Sequence, residues 1–291
     1  MPEHPAPLVS IVIPVKNRRQ ELERLLNSID RQTFRDHEVI VVDNFSTDGT
    51  YEMASARVPT FQIGPERHKQ RAHGDGHARG KYIMHIDSDM ELDPGVIGEC
   101  VKLAEEEGYD ALVIPERAGG EGFWADCQKL EKQCYLNDPY MECADRFIRR
   151  EFYDRAGGYR TDIVGPEDYE LHDGLIRVGA RLGRCISMIT HYEETRFWRV
   201  VKKKFYYASH MNRIFVDTPG AYLLRFAPIK PAFLRNWRLL AKDPLHGAGV
   251  LTMKTTQYLA GALGALLSTF RPGSWLHACL EKGRAKQSSS S

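Results

Sequence analysis

The chain has 291 residues, 42% hydrophobic and 27% charged, enough to bury one large core or a domain plus an appendage. Its 40 basic and 39 acidic residues nearly cancel, so no global field argues for nucleic acid. Six cysteines (Cys100, Cys127, Cys134, Cys143, Cys185 and Cys279) form no Cys-x-x-Cys pair, and "MPEHPAPLVSIVIPVKNRR" lacks a signal-peptide layout, which reads as a cytoplasmic chain with reduced thiols.

In chain order, "LVSIVIP" is a continuous apolar run of the kind a parallel strand buried on both faces carries. Leu22, Leu25, Leu26 and Ile29 follow at helical spacing, and "HEVIVVD" supplies a second buried strand, completing a βαβ unit. "NFSTDGTYEMASARV" predicts a turn and a short helix, "TFQI" a third strand, residues 69–79 a polar helix or loop, and "KYIMHID" a fourth strand. A helix near 94–107, a strand at "DALVIP" and a helix near 123–136 continue the alternation. The expected fold is α/β, a mostly parallel sheet flanked by helices. Ligands in such sheets bind beyond the carboxyl ends of the strands, where Pro14 to Asn17, Asp43 to Ser46 and Asp87 to Asp89 should meet in one crevice.

The fourth strand runs into Asp87, Asp89, Glu91 and Asp93, a carboxylate at every second residue. If the backbone stays extended through Ser88, Asp87 and Asp89 aim at one point and create a demand for a cation. Neither G-x-G-x-x-G nor G-x-x-x-x-G-K-[ST] is present, which removes the main support for a dinucleotide-binding domain; a nucleotide could still bind with its diphosphate bridged by Mg²⁺ or Mn²⁺ on hard oxygen ligands. A solvated acidic turn is the plainer reading of the same residues.

"VSIVIPVKNRRQELERLLNSIDRQTFRDHEVIVVDNFSTDGT", followed by "ARGKYIMHIDSDMELDPGVI", resembles the N-terminal half of a family 2 glycosyltransferase with the GT-A fold. The resemblance implies that Pro14, Val15, Asn17, Asp43 and Ser46 hold the nucleoside, and that Asp87 and Asp89 handle ribose, metal and diphosphate. In "KQRAHGDGHARG" Arg71 is retained as a phosphate contact, while His73 stands where the family often has an amide. "FIRREFYDRAGGYRTDIVGPEDYELHDGLIRVGARL" extends the resemblance to the acceptor half: Asp168 becomes the base of an inverting transfer and Glu167 a supporting group. After Gly165-Pro166 the same two carboxylates would also suit a helix start. His191, in "ISMITHYEE", falls about where relatives place a third metal or diphosphate ligand; a surface or packed histidine is the alternative.

These features divide the chain into a catalytic domain over 1–194, with a donor half at about 8–115 and an acceptor half at about 116–194, and a helical extension over 195–291. The extension interleaves aromatic and basic residues and then gives "AGVLTMKTTQYLAGALGALLSTF", interrupted by Lys254. A packed extension, an interfacial element and a spanning helix are the three readings; small residues and Lys254 disfavour spanning, and peripheral attachment to an anionic membrane surface fits the composition. "KQSSSS" reads as a disordered tail. The expected function is inverting transfer from a nucleoside-diphosphate sugar, UDP-linked, to a glycan or lipid-linked acceptor at the cytosolic face of the membrane. A polyprenyl-phosphate glycosyltransferase and a non-catalytic sugar-nucleotide-binding scaffold are the alternatives.

Overall fold

A computed structural model describes residues 6–136, 145–160, 167–209 and 231–269. Cys143, Gly165-Pro166, residues 210–230, Cys279 and the serine tail lie outside them. The described residues fall into two compact units.

The first unit comprises described residues 6–119, 145–160 and 167–193. It contains β1 (Val9–Val15), α1 (Arg19–Asp30), β2 (His37–Asp43), α2 (Thr50–Ser55), β3 (Thr60–Gln62), α3 (Arg67–His77), β4 (Tyr82–His85), β5 (Met90–Leu92), α4 (Val96–Glu106), β6 (Ala111–Val113) and β7 (Glu116–Ala118). β8 (Asp145–Arg149), α6 (Arg150–Ala156), α7 (Glu167–Arg177), β9 (Leu182–Arg184) and β10 (Ile189–His191) complete it, and α5 belongs to the other unit.

Seven strands form one sheet in the order β3-β2-β1-β4-β8-β6-β9. β1 runs parallel to β2 and β4, and every residue of its run VSIVIPV is buried, which is why the run carries no alternation. Val15 pairs with Asp43, so the ends of β1 and β2 open at the same level. α1 buries Leu22, Leu25, Leu26 and Ile29, the stripe its spacing predicts.

The structure departs from the sequence expectation at four places. The stretch 69–79, expected as a polar helix or loop, is helical only as far as His77, two residues short, and α3 buries polar side chains: His68, Gln70, Arg71 and Asp75. Gln70 donates to the carbonyls of Val15 and Val42, tethering α3 to the ends of β1 and β2. Gly74 allows this close approach, since a Cβ there would overlap Val12. Secondly, β8 runs antiparallel between β4 and β6, the one reversal in the large sheet. Thirdly, β5, β10 and β7 form a separate three-stranded sheet from segments far apart in sequence.

The fourth departure concerns the acidic run. β4 ends at His85, and a turn at Ser88 and Asp89, closed by the Met90 amide on the Asp87 carbonyl at 3.1 Å, breaks the extended geometry. Asp87 and Asp89 therefore face different partners. Glu91 and Asp93 are taken up by Arg31 and Arg117 at 3.1 and 2.5 Å, as structural ion pairs.

The second unit comprises described residues 120–136, 194–209 and 231–269. It holds α5 (Phe123–Tyr135), α8 (Phe197–Ala208), α9 (Pro231–Arg235), α10 (Trp237–Lys242) and α11 (Pro244–Thr269). Cys127, Leu130, Cys134, Tyr135, Phe233 and Val250 make its core, and Lys254 of α11 pairs with Glu131 of α5. Among the described residues no helix is long and apolar enough to cross a membrane.

Candidate active site

The loops after β1 and β2 are bound to each other. Asn17 donates its backbone N–H to Ser46 Oγ at 2.8 Å and accepts from the Thr47 N–H at 2.8 Å. Asp43, fully buried, accepts from the Ser46 amide at 2.9 Å, from the Ser46 hydroxyl and from Gln62 at 3.0 Å. Pro14 and Val15 are buried, and the Val15 carbonyl takes the amide of Asn44 at 2.8 Å. Two non-glycine residues here have left-handed backbones, Asn17 at φ 50° and Phe45 at φ 49°, a conformation that costs energy and concentrates at functional sites. Phe45 is also 61% exposed, an aromatic ring held out to solvent beside these loops.

Beyond β4 lies a cluster of arginines and carboxylates. Arg71 is completely buried; its Nη2 meets Asp87 Oδ1 at 2.7 Å and its Nη1 meets Asp168 Oδ1 at 2.8 Å. Arg67, one turn earlier on α3, reaches Asp87 at 3.4 Å and Glu167 at 3.2 Å. Arg146 of β8 approaches Asp87 at 3.8 Å. Burial alone would raise the Asp87 pKa, but Arg71, Arg67 and Arg146 outweigh it and hold the carboxyl far below the usual range. Burial likewise opposes ionisation of Asp168, and the same three guanidiniums more than offset it, so this pKa is lowered too. Asp168 also accepts from the Tyr159 hydroxyl at 3.0 Å, on the same Oδ1 that Arg71 occupies, and the Tyr159 ring lies under the Arg71 guanidinium. The Asp168 side chain is 30% exposed against 11% for Asp87, so it is the carboxylate within reach of an incoming molecule.

Asp89 turns the other way, its Oδ1 at 3.3 Å from Nε2 of His191. The opposite ring nitrogen, Nδ1, meets Glu116 at 3.0 Å and Glu193 at 3.5 Å. Burial would lower the His191 pKa, but hydrogen bonds to Asp89 and Glu116 win, and it is pushed up to about 10. Glu116, His191 and Glu193 could together hold a metal ion. Imidazole nitrogen with several carboxylate oxygens suits Mg²⁺ or Mn²⁺, and a carboxylate behind the second ring nitrogen is the usual arrangement around a metal-ligating histidine. Glu116 and Glu193 lie on the Nδ1 side of the ring and Asp89 on the Nε2 side, so carboxylates at both ring nitrogens fit a divalent cation at His191. Arg146 closes the circuit: it donates from Nε to Glu116 at 2.9 Å while approaching Asp87.

The structure thus brings Asp87, Arg71, Asp168 and Glu167 into one cluster, Asp89 and His191 into contact, and Asn17, Asp43 and Ser46 into another group. Arg71, expected at the phosphates, instead sits wholly inside with two carboxylates on its guanidinium. Arg67, Arg146, Glu116, Glu193, Tyr159 and Phe45 were not singled out from the sequence. The Arg67 and Arg71 pair was readable, since four residues apart on one helix they share a face.

A sheet whose strand ends collect the loops after β1 and β2, an Asp-x-Asp turn and a carboxylate at a helix start is the GT-A arrangement. The chain superposes on a mannosyltransferase of Pyrobaculum calidifontis, solved with GDP-Man and Mn²⁺, with a TM-score of 0.62 and 18% identity over 90% of this chain and 87% of that one. The chain belongs to glycosyl transferase family 2, whose profile matches residues 10–161. It is 46% identical to the glycosyltransferase AglE of Haloferax volcanii over 216 residues, 68% of this chain and 71% of the relative. It is 32% identical over 114 residues to the GalNAc(5)-diNAcBac-PP-undecaprenol beta-1,3-glucosyltransferase of Campylobacter jejuni, covering 35% of this chain. It spans only 36% of that enzyme's length.

Proposed function

We propose that this protein is an inverting glycosyltransferase that moves a sugar from a nucleoside-diphosphate donor, a UDP-sugar, to a glycan or lipid-linked acceptor in polysaccharide or glycoconjugate synthesis. The observation that carries the proposal is the single buried guanidinium of Arg71 shared by Asp87 and Asp168, which fixes a solvent-accessible carboxylate beside the Asp-x-Asp turn. The lipid-linked acceptor of the Campylobacter relative supports the acceptor class.

In this reading Pro14, Val15, Asn17, Asp43 and Ser46 receive the nucleoside, with Phe45 beside it. Asp168 takes the proton of the acceptor hydroxyl on Oδ2, because Oδ1 is occupied by Arg71 and Tyr159. The hydroxyl oxygen bonds to the anomeric carbon as the bond to the diphosphate breaks on the opposite face. Glu167 supports the acceptor side and keeps Arg67 in place. Arg67, 39% exposed, meets the charge that develops on the leaving diphosphate, while Arg71 works from behind Asp87 and Asp168. Asp89 and His191 would hold Mg²⁺ or Mn²⁺, with Glu116 behind the ring and Asp87 kept off the ion by its arginines, and the ion would supply Lewis-acid neutralisation of the diphosphate. Residues 1–194 carry the chemistry in this proposal, and residues 195–291 attach the enzyme peripherally to the cytosolic face of the membrane.

Asp168→Asn tests the assignment because it keeps the side chain's shape and removes its basicity. Turnover falls by about 10² to 10⁴ while UDP affinity is retained. Near-normal transfer by Asp168→Asn, or a product with the donor's anomeric configuration kept, overturns it.

A further inference from the structure

The chemistry assigned to Asp168 leaves a buried polar cluster without a role. Asp75 of α3, His85 at the end of β4 and Tyr153 of α6 are all buried and are joined to one another. Asp75 meets His85 Nε2 through Oδ1 at 2.7 Å and accepts the Tyr153 hydroxyl on Oδ2. Tyr153 belongs to a core made with Val12, Ile83, Ile148, Leu171 and Leu175, where phenylalanine would pack without any hydroxyl to satisfy. Burying polar groups is costly unless each finds its partner, so a connected string of them in such a core marks a constraint beyond packing.

The string leads to Asp168 through Tyr159. After α6 the chain turns through Gly157 and Gly158, at φ 88° and 63°, and brings the Tyr159 N–H back onto the Tyr153 hydroxyl at 3.1 Å. A Cβ on Gly158 would stand 3.0 Å from the Tyr153 ring, so glycine lets the turn lie this close. The Tyr159 ring meets His85 edge to face, with centroids 4.9 Å apart, and carries the Arg71 guanidinium at 4.8 Å. Backbone and ring are thus both held, and the hydroxyl arrives 3.0 Å from Asp168 Oδ1. Burial pushes the pKa of both phenols well above the ordinary value, so each stays protonated and donates.

Asp168 is faced by Arg71 and Arg67 from α3, by Arg146 from β8, by the like charge of Asp87 beyond β4, and by Tyr159. Among these, Arg71 and Tyr159 donate to the same oxygen, Oδ1. A carboxylate oxygen has two lone pairs, so two donors saturate Oδ1 and leave Oδ2 as the basic one. Arg71 is shared with Asp87, whereas the hydroxyl of Tyr159 serves Asp168.

We propose that Tyr159 is a positioning residue for Asp168, and that Tyr153, Asp75 and His85 exist to fix its hydroxyl. This rests on the reading of Asp168 as the base.

The test is Tyr159→Phe in the full chain, which keeps the ring against Arg71 and His85 and removes only the hydroxyl. Turnover, followed as UDP release from UDP-glucose or UDP-N-acetylglucosamine, is expected to fall about tenfold with KM unchanged, because a hydrogen bond to a charged group is lost. Tyr153→Phe, which removes no atom in contact with Asp168, lowers turnover in the same direction by a smaller factor. A second readout needs no donor. The folded pKa of Asp168 is lowered, so what the hydroxyl contributes is complete above the unfolded value, about 4, and fades as pH falls toward the folded one. The melting temperature of Tyr159→Phe should therefore lie about 3–10 °C below the parent at pH 7, with the gap narrowing below about pH 4. In an Asp168→Asn background the gap should no longer depend on pH. A tyrosine that only packs gives the same gap at every pH and leaves turnover alone. Parental turnover in Tyr159→Phe, a raised KM in place of a lowered kcat, or a pH-independent melting gap would overturn the inference. Asp168→Asn separates the two proposals: if it is inactive while Tyr159→Phe is not slowed, only the positioning role falls. If Asp168→Asn transfers normally while the pH-dependent gap is present, only the base falls.

Discussion

Arg71→Met leaves most of the side-chain stem in place and deletes the one cation shared by Asp87 and Asp168. Arg71 is fully buried, Asp87 nearly so, and each carboxylate sits within 2.8 Å of the guanidinium. Removing one partner of a buried pair leaves an uncompensated charge and costs about 3–5 kcal/mol. Arg67 and Arg146 remain near Asp87, at 3.4 and 3.8 Å, which places the expected loss toward the lower end. For a unit of this size that corresponds to a melting temperature lower by roughly 6–20 °C. The loss has a pH signature. Both carboxylates have folded pKa values lowered by these arginines, so their contribution is complete above the unfolded value, about 4, and fades as pH falls toward the folded values. Melting curves of the parent and Arg71→Met should therefore be furthest apart at neutral pH and converge below about pH 4. A variant that melts within a degree or two of the parent at pH 7, or a gap that widens in acid, refutes the reasoning.

Two further outcomes follow from the other clusters. Glu116→Gln removes the carboxylate behind His191 Nδ1, and Mn²⁺ affinity measured by calorimetry is expected to fall by about 10- to 100-fold; unchanged affinity would place the ion elsewhere. Phe45→Ala removes an exposed ring without touching the core, so UDP binding weakens about two- to tenfold at constant melting temperature; equal affinity would remove Phe45 from the donor site.

The sequence made the first half of the sheet legible because β1, β2 and α1 advertise their environment in their own residues. A strand buried on both faces is apolar throughout, and a helix on a sheet shows its stripe. α3 gives no such signal, because its buried face is polar and is compensated by partners 16 and 97 residues away. Arg146 and Glu116 were hidden for the same reason: a charged residue in a short strand looks exposed until its opposite number is brought alongside. The Asp-x-Asp spacing was legible as chemistry and misleading as geometry, since the turn at Ser88 overrides the strand periodicity on which a common target depended.

The three-stranded sheet has a consequence for how the protein comes into being. Asp89 immediately precedes β5, Glu116 begins β7, and His191 ends β10, so the groups around the metal position are gathered by pairing segments separated by as much as a hundred residues. The loops proposed to receive the nucleoside draw their partners from residues up to Gln70, whereas the proposed metal position exists only after residue 191 has docked. During synthesis the enzyme would acquire the means to recognise its donor long before it could act on it. A divalent ion would then favour only the finished fold, rewarding the pairing of β10 with β5 and β7.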